Sequence, residues 1–253
     1  MTHIYVPDTS LPAKVKRRLA RKQARRLMPV ELDVPIVSFS FDDCPKSVMP
    51  HALTPMEAEG WQATVYIAAG LCGTTNHLGL HMNEDDVKAV HASGHEIGDH
   101  TYSHCDGFTL PLQDVLTDIT KNQAALDALG IPASHTFAYP YGELTPALKK
   151  SLQSRFKGAR GIHSKTHERS VDLNQIGSNR LYNGADFDAL LPQIVNLKDT
   201  PAWLTIFTHD VQDTPSEFGC TPEQFQIIID AVKDSGARVM TLNDAIDVME
   251  AAA

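Results

Sequence analysis

Seven short runs rich in β-branched and aromatic residues recur along this chain, at 35–41, 62–68, 95–98, 135–139, 157–162, 202–208 and 237–240. Between most of them the apolar residues fall at helical spacing. That alternation admits few folds, because strands connected through helices pair in parallel and need both faces of the sheet covered. It predicts an α/β protein with one parallel sheet, either closed as a barrel or doubly wound. Residues 109–129 carry Leu112, Val115, Leu116, Ile119, Ala124, Leu126 and Leu129 and stop at Gly130. Thr221-Pro222-Glu223-Gln224 reads as a capped helix start, continued by Phe225, Ile228, Ile229 and Val232 up to Gly236. A last amphipathic helix is expected over 241–249. Residues 163–184 show no periodicity and are expected to form a long surface connection. No repeat or linker divides residues 35–253, which are read as one domain behind an extension at 1–34.

Charge separates the same two parts. The net charge is -9, yet residues 1–30 hold eight Lys and Arg against Asp8 alone and carry +7. The body is therefore strongly acidic, at -16, which argues against nucleic acid as a partner. Residues 11–28 form a basic amphipathic pattern with Leu11, Val15 and Leu19 at fourfold spacing. Two readings follow: a helix packed on the acidic body, or a peripheral contact with an anionic membrane surface. No run reaches the roughly 18 apolar residues of a membrane span. With no apolar signal-peptide core in the first 30 residues, a cytoplasmic location, free or at the inner face of the membrane, is expected. Cys44, Cys72, Cys105 and Cys220 lack framework spacing and are expected to be free thiols.

The chemistry collects at strand ends. Ser38-Phe39-Ser40-Phe41-Asp42-Asp43-Cys44-Pro45 runs an apolar strand into adjacent carboxylates. Such a pair either shares a task, holding a cation or moving a proton, or simply forms a turn that stops the strand. Side chains of successive strand residues diverge, so the two can divide one task. In His95-Glu96-Ile97-Gly98-Asp99-His100-Thr101-Tyr102-Ser103-His104 the metalloprotease pattern HExxH fails by one residue, and Gly98 spoils a helix. His100 and His104, four apart on a helical turn, can grip one ion, although a solvated pair explains HxxxH alone. Pro140-Tyr141-Gly142 and Thr208-His209-Asp210 follow two further strands. In a parallel barrel such positions meet on one face. One carboxylate with two imidazoles suits Zn²⁺ or a similar divalent ion such as Co²⁺, Mn²⁺ or Ni²⁺, with a position open to water.

These four motifs, in this order over about residues 35–250, resemble those of the NodB-type polysaccharide deacetylases, carbohydrate esterase family 4. The resemblance implies a distorted (β/α)7 barrel and metal-dependent removal of acetyl groups from N-acetylated glycans. Carried over position by position, it makes Asp43, His100 and His104 the metal ligands, Asp42 the general base and His209 the general acid. Tyr141, after Pro140, matches the backbone oxyanion donor, and Phe207 stands where an apolar residue lines the acetyl pocket. Two departures stand out. Where family members often carry an arginine that holds the base, this chain has Ala138; Arg160 on the next strand either sends a guanidinium to the same spot or is an ordinary partner of a surface acid. The family's Asp-Trp motif is missing, so the partner that orients His209 is unassigned. His3, His51, His77, His81, His91, His95, His135, His163 and His167 are expected at loop or helix surfaces.

The reading is a deacetylase of a polysaccharide or its lipid-linked precursor, of exopolysaccharide type. A hydrolase of a small amide or cyclic imide on the same barrel is the alternative. An Fe(II) oxygenase fits less well, because its carboxylate usually follows a His by two residues on antiparallel strands. A glycan-binding module that has lost catalysis is disfavoured by the presence of Asp42 and His209.

Overall fold

The computed structural model describes residues 5–252. Seven parallel strands form its centre: β1 (Ile36–Phe41), β2 (Thr64–Ile67), β3 (Glu96–Asp99), β4 (Thr136–Ala138), β5 (Gly158–Arg160), β6 (Asn179–Arg180) and β7 (Trp203–Thr208). They lie in the order β6-β7-β1-β2-β3-β4-β5, curled into a distorted (β/α)7 barrel. An eighth short strand, β8 (Arg238–Val239), pairs with Ile36 and Val37, beside the half of β1 that β2 does not reach. Every β1 position is buried, so its IVSFSF run can be apolar on one side and carry small hydroxyls on the other. Ser38 takes the indole N–H of Trp203 at 3.0 Å, and Ser40 donates to the Ile206 carbonyl at 3.2 Å.

The helices are α1 (Leu11–Lys22), α2 (Thr54–Ala58), α3 (Glu84–Ala92), α4 (Leu112–Ala128), α5 (Pro146–Leu152), α6 (Ala185–Asn196), α7 (Pro222–Ser235) and α8 (Leu242–Ala252). Their ends follow local chemistry. Thr221 and Gln224 form a reciprocal capping box with Pro222 at the first helical position, and Gly236 closes α7 at φ +72°. Phe225, Ile228, Ile229 and Val232 of α7 pack on Phe39 and Phe41 of β1. At the barrel's N-terminal end, half-buried Glu96 accepts from Thr64 and Thr136 at 2.7 and 2.6 Å, and from the Asn243 N–H at 3.1 Å. That network ties β2, β3, β4 and α8 together and leaves the opposite face for chemistry.

The structure corrects three expectations. Residues 163–184 are not a surface connection. Leu173 and Ile176 exchange backbone hydrogen bonds of 2.8 Å with Ala159 and Gly161 of β5, and β6 then pairs with Ile206 and Phe207 of β7. This stretch closes the barrel, and it lacks periodicity because successive short pieces bond to different strands. The seventh barrel strand is therefore β6, while β8 is an addition beside β1. His81, His95 and His167 are buried rather than surface residues. The His95 Nδ1 accepts from the Ala63 N–H at 3.0 Å, and the His167 Nε2 donates to the Gly177 carbonyl at 3.0 Å. Finally, α1 does pack on the body, but through Ala13, Arg17, Ala20 and Arg21, while Leu11, Val15 and Leu19 face solvent. His3 lies outside the described residues. All four cysteines are free thiols.

Candidate metal centre and catalytic cleft

Parallel register brings the ends of β1, β3, β4, β5 and β7 to one face. The Asp42 N–H still bonds to the Thr208 carbonyl at 3.1 Å, one step beyond β1. Asp43 and Cys44 then enter left-handed conformations, at φ +60° and +54°. The two carboxylates are thus parted by a backbone reversal, not by strand alternation. His100 and His104 also do not share a helical turn. They lie on an irregular loop in which the Thr101 N–H bonds to Asp99 at 2.9 Å, the Cys105 N–H to the Thr101 hydroxyl at 3.0 Å, and the Ser103 N–H to Asp118 at 2.8 Å. Thr101, His104 and Tyr141 also have positive φ, so the site holds five of the six non-glycine residues in that region among those described. Such residues cost on the order of 1–3 kcal/mol each and persist where their surroundings over-determine them.

The imidazole Nε2 atoms of His100 and His104 approach Asp43 Oδ1 at 3.5 and 3.1 Å, and the three ligand atoms lie within 4.8 Å of one another. His100 donates its Nδ1–H to the Ala138 carbonyl at 2.8 Å, which leaves the Nε2 lone pair directed at Asp43. Burial lowers the His100 pKa to about 4 and depresses that of His104 as well, so both rings are neutral near pH 7. Burial opposes ionisation of Asp43, but the imidazoles of His104, His100, His209 and His81 outweigh it and hold its carboxyl at about 2. Asp43 Oδ1 is buried and receives no hydrogen bond. Acceptors therefore converge with no proton among them, an arrangement that a divalent cation resolves. The donor set of one carboxylate oxygen and two imidazole nitrogens fits Zn²⁺ and its neighbours.

Arg160 is fully buried, and its Nη2 reaches both carboxylate oxygens of Asp42. Ala138 and Arg160 sit side by side in the β4–β5 register. The guanidinium lies 4.6 Å from the Phe207 ring and 5.2 Å from Tyr66. Gly98 is required beneath Tyr66, because a Cβ there would stand 2.4 Å from the tyrosine ring. His209 follows β7, with its Nδ1 3.3 Å from the Phe218 carbonyl and 3.5 Å from the Tyr182 hydroxyl. The carbonyl can only accept, so Nδ1 carries the proton and Nε2 is the free nitrogen. Phe218 is held by Asp210, which accepts from the Ser216 N–H and the Gln212 amide at 2.8 Å and from the Ser216 hydroxyl at 2.5 Å. Tyr141, with φ +58° after the buried Pro140, sets its ring 4.3 Å from His104.

Tyr182, Phe218, Asp210, Asp99 and Asp118 support the site without having been expected there from the sequence. Only Asp210 and Asp99 stood inside the motifs; the others sit on separate elements. The same holds of the N-terminal wall. Asp42, Asp43, His100, His104, Tyr182, His209 and Phe218 line a cavity of about 660 Å³, to which Tyr5, Lys14, Arg17 and Arg21 contribute. Tyr5 stacks on Tyr141 at 3.9 Å and donates to Asp106 at 2.9 Å, while Arg17 bonds both oxygens of Glu143 at 2.8 Å.

Strand-end carboxylates, two histidines grouped with one of them and a facing histidine on a parallel barrel suit the class of metal-assisted hydrolases. Within it, the chain belongs to the polysaccharide deacetylase family, whose model matches residues 30–155, about half of the chain. No curated protein matches it in sequence. Among solved structures it is similar to a family 4 acetyl xylan esterase from Clostridium thermocellum in complex with a cobalt ion. That match has 20% identity, covers 84% of this chain and 91% of the other, and has a TM-score of 0.59. The chitin deacetylase of the fungal pathogen Colletotrichum lindemuthianum shares 19% identity over 85% of this chain and 89% of its own, at TM-score 0.59. A CE4 family pseudoenzyme from Bacillus anthracis shares 16% identity over 87% of this chain and 68% of its own, at TM-score 0.60.

Proposed function

We propose that the protein is a metal-dependent N-deacetylase acting on a polysaccharide of exopolysaccharide type or on its lipid-linked precursor. The observation that carries this reading is the convergence of Asp43, His100 and His104 beside an Asp42 carboxylate gripped by Arg160. A divalent ion held by Asp43, His100 and His104 would polarise the acetyl carbonyl and acidify the attacking water. Asp42 takes the proton of that water as its oxygen bonds to the carbonyl carbon. Its negative charge is kept available by the Arg160 ion pair. The Tyr141 N–H, after the turn at Pro140, donates to the developing oxyanion. His209, with its Nδ1–H held on the Phe218 carbonyl, acts in the imidazolium form: the proton on Nε2 passes to the nitrogen as the C–N bond breaks, so the sugar leaves as a neutral amine, acetate remains and His209 is left neutral. Phe207 bounds the acetyl methyl. The pseudoenzyme among the structural relatives shows that this fold does not guarantee catalysis. The presence of every acid–base and ligand group named here supports activity.

The solvent face of α1 supports work at a lipid surface. Leu11, Val15 and Leu19 are 75, 47 and 51% exposed, and Arg18 and Lys22 lie on the same side of the helix. An apolar stripe among cations complements the inner, anionic face of a bilayer, where a lipid-linked glycan would be presented. No helix among the described residues is long and apolar enough to cross a membrane.

Acetate release from a panel of N-acetylated glycans tests the reading. Asp42→Asn is expected to lower turnover by about 10²–10⁴-fold, and His104→Ala to abolish both turnover and metal uptake. Activity insensitive to both changes would overturn the mechanism.

A further inference from the structure

Four acidic side chains line the cavity, and each is accounted for. Asp42 is paired with Arg160, Glu143 with Arg17, Asp43 faces the two histidines, and Asp8 at the rim accepts from the Ser10 N–H at 2.8 Å. The cations are not matched in the same way. Lys14, Arg21 and Arg180 also line the cavity, and among the described residues none has a carboxylate within 4.0 Å. Arg21 reaches His163 instead, Nη1 to Nε2 at 2.6 Å. The His163 imidazole is made harder to protonate first by burial and then by the charges of Arg21 and Arg180. Lys14 is two turns from Arg21 on the same side of α1. Lys14 and Arg21 come from the extension that carries +7 and Arg180 from the body that carries -16, so the cleft wall where the two parts meet gathers three cations without a carboxylate partner.

Position gives the cluster a role. Arg180 ends β6, and Tyr182, two residues on, touches the His209 ring. The cluster therefore adjoins the side of the cleft where His209 meets the leaving sugar. Two guanidiniums, a lysine and an imidazole match a dianion better than a carboxylate, and guanidinium forks fit phosphate oxygens bidentately.

We propose that Arg21, Arg180, His163 and Lys14 form a subsite for a phosphate or diphosphate group carried by the N-acetylated sugar. This names the substrate class more narrowly and rests on the deacetylase reading above. The group could come from a nucleotide sugar or from a lipid-linked sugar, since both present a diphosphate next to the sugar ring.

Binding is measured by calorimetry on the metal-loaded full chain, with N-acetylglucosamine, N-acetylglucosamine 1-phosphate, its uridine diphosphate ester and its prenyl diphosphate ester in detergent. Any phosphorylated form is expected to bind at least tenfold more tightly than the neutral sugar, and the tighter of the two diphosphates identifies the source. In Arg21→Gln/Arg180→Gln that preference should fall toward one, with the metal still bound; Arg180→Lys should recover part of it. Equal binding of neutral and phosphorylated sugars, or a preference untouched by the double variant, would overturn the subsite. Because binding does not need acetate release, a protein that binds phosphate here yet releases no acetate would instead sink the deacetylase reading.

Discussion

At the scale of single residues, Asp42, the proposed base, and its partner Arg160 carry the clearest physical consequence. A buried carboxylate that must stay ionised needs a fixed cation or several donors, and Asp42 has both oxygens on one guanidinium. Truncating Arg160 leaves that charge uncompensated, and breaking a buried pair costs about 3–5 kcal/mol. Arg160→Ala is thus expected to lose most turnover, on the order of a hundredfold or more, while still taking up one divalent ion per chain; Arg160→Lys should recover part of the rate. Turnover near that of the parent would show that Asp42 works without it. His209 illustrates a different economy. Its proton position is set by a backbone carbonyl, and that carbonyl is placed by Asp210, Ser216 and a glycine. A Cβ at Gly219 would come within 2.4 Å of Asp210.

At the scale of elements, two stretches behave as their sequences do not advertise. In α1 the large apolar residues point outward and the alanines inward, because close approach to the body needs small side chains with Arg17 and Arg21 at their edge. Pelleting with vesicles of anionic lipid is expected for the full chain. It should weaken at least tenfold in Leu11→Ser/Val15→Ser/Leu19→Ser, and more in raised salt; equal pelleting would remove the membrane contact. Strands and capped helices were legible because periodicity and capping are local. The closing segment at 173–180 was not, since its hydrogen bonds run first to β5 and then to β7. The grouping of Asp43, His100 and His104 was legible from strand-end position and spacing. Their loop geometry was not, because it depends on left-handed residues and on Asp99 and Asp118, which no spacing announces.

At the scale of the whole molecule, the buried histidines set the response to pH and metal. His81, His100, His104 and His167 all have pKa values depressed by burial, His100 and His167 to about 4. The unfolded chain then binds more protons than the folded one below the ordinary histidine value, so stability falls as pH drops from about 6.5 toward 4. Asp99, raised by burial to about 6, and Glu96, also raised by burial, act in the opposite sense over part of that range, as two groups against these four. Melting temperatures of the metal-free protein are expected to fall between pH 7 and 5. Zn²⁺ at a hundred times its dissociation constant should raise the melting temperature by roughly 5–10 °C at pH 7.5. No rise with any of Zn²⁺, Co²⁺, Mn²⁺ or Ni²⁺ would count against the cation pocket. The sheet register has one more consequence. Because Ala138 and Arg160 are lateral neighbours, a guanidinium can reach the same carboxylate from either strand, and the two addresses are alternatives in one location. Whether the first aspartate has a cationic partner is therefore a three-dimensional question, answered by any strand that delivers a positive charge to it and not by the one residue two positions before Pro-Tyr-Gly.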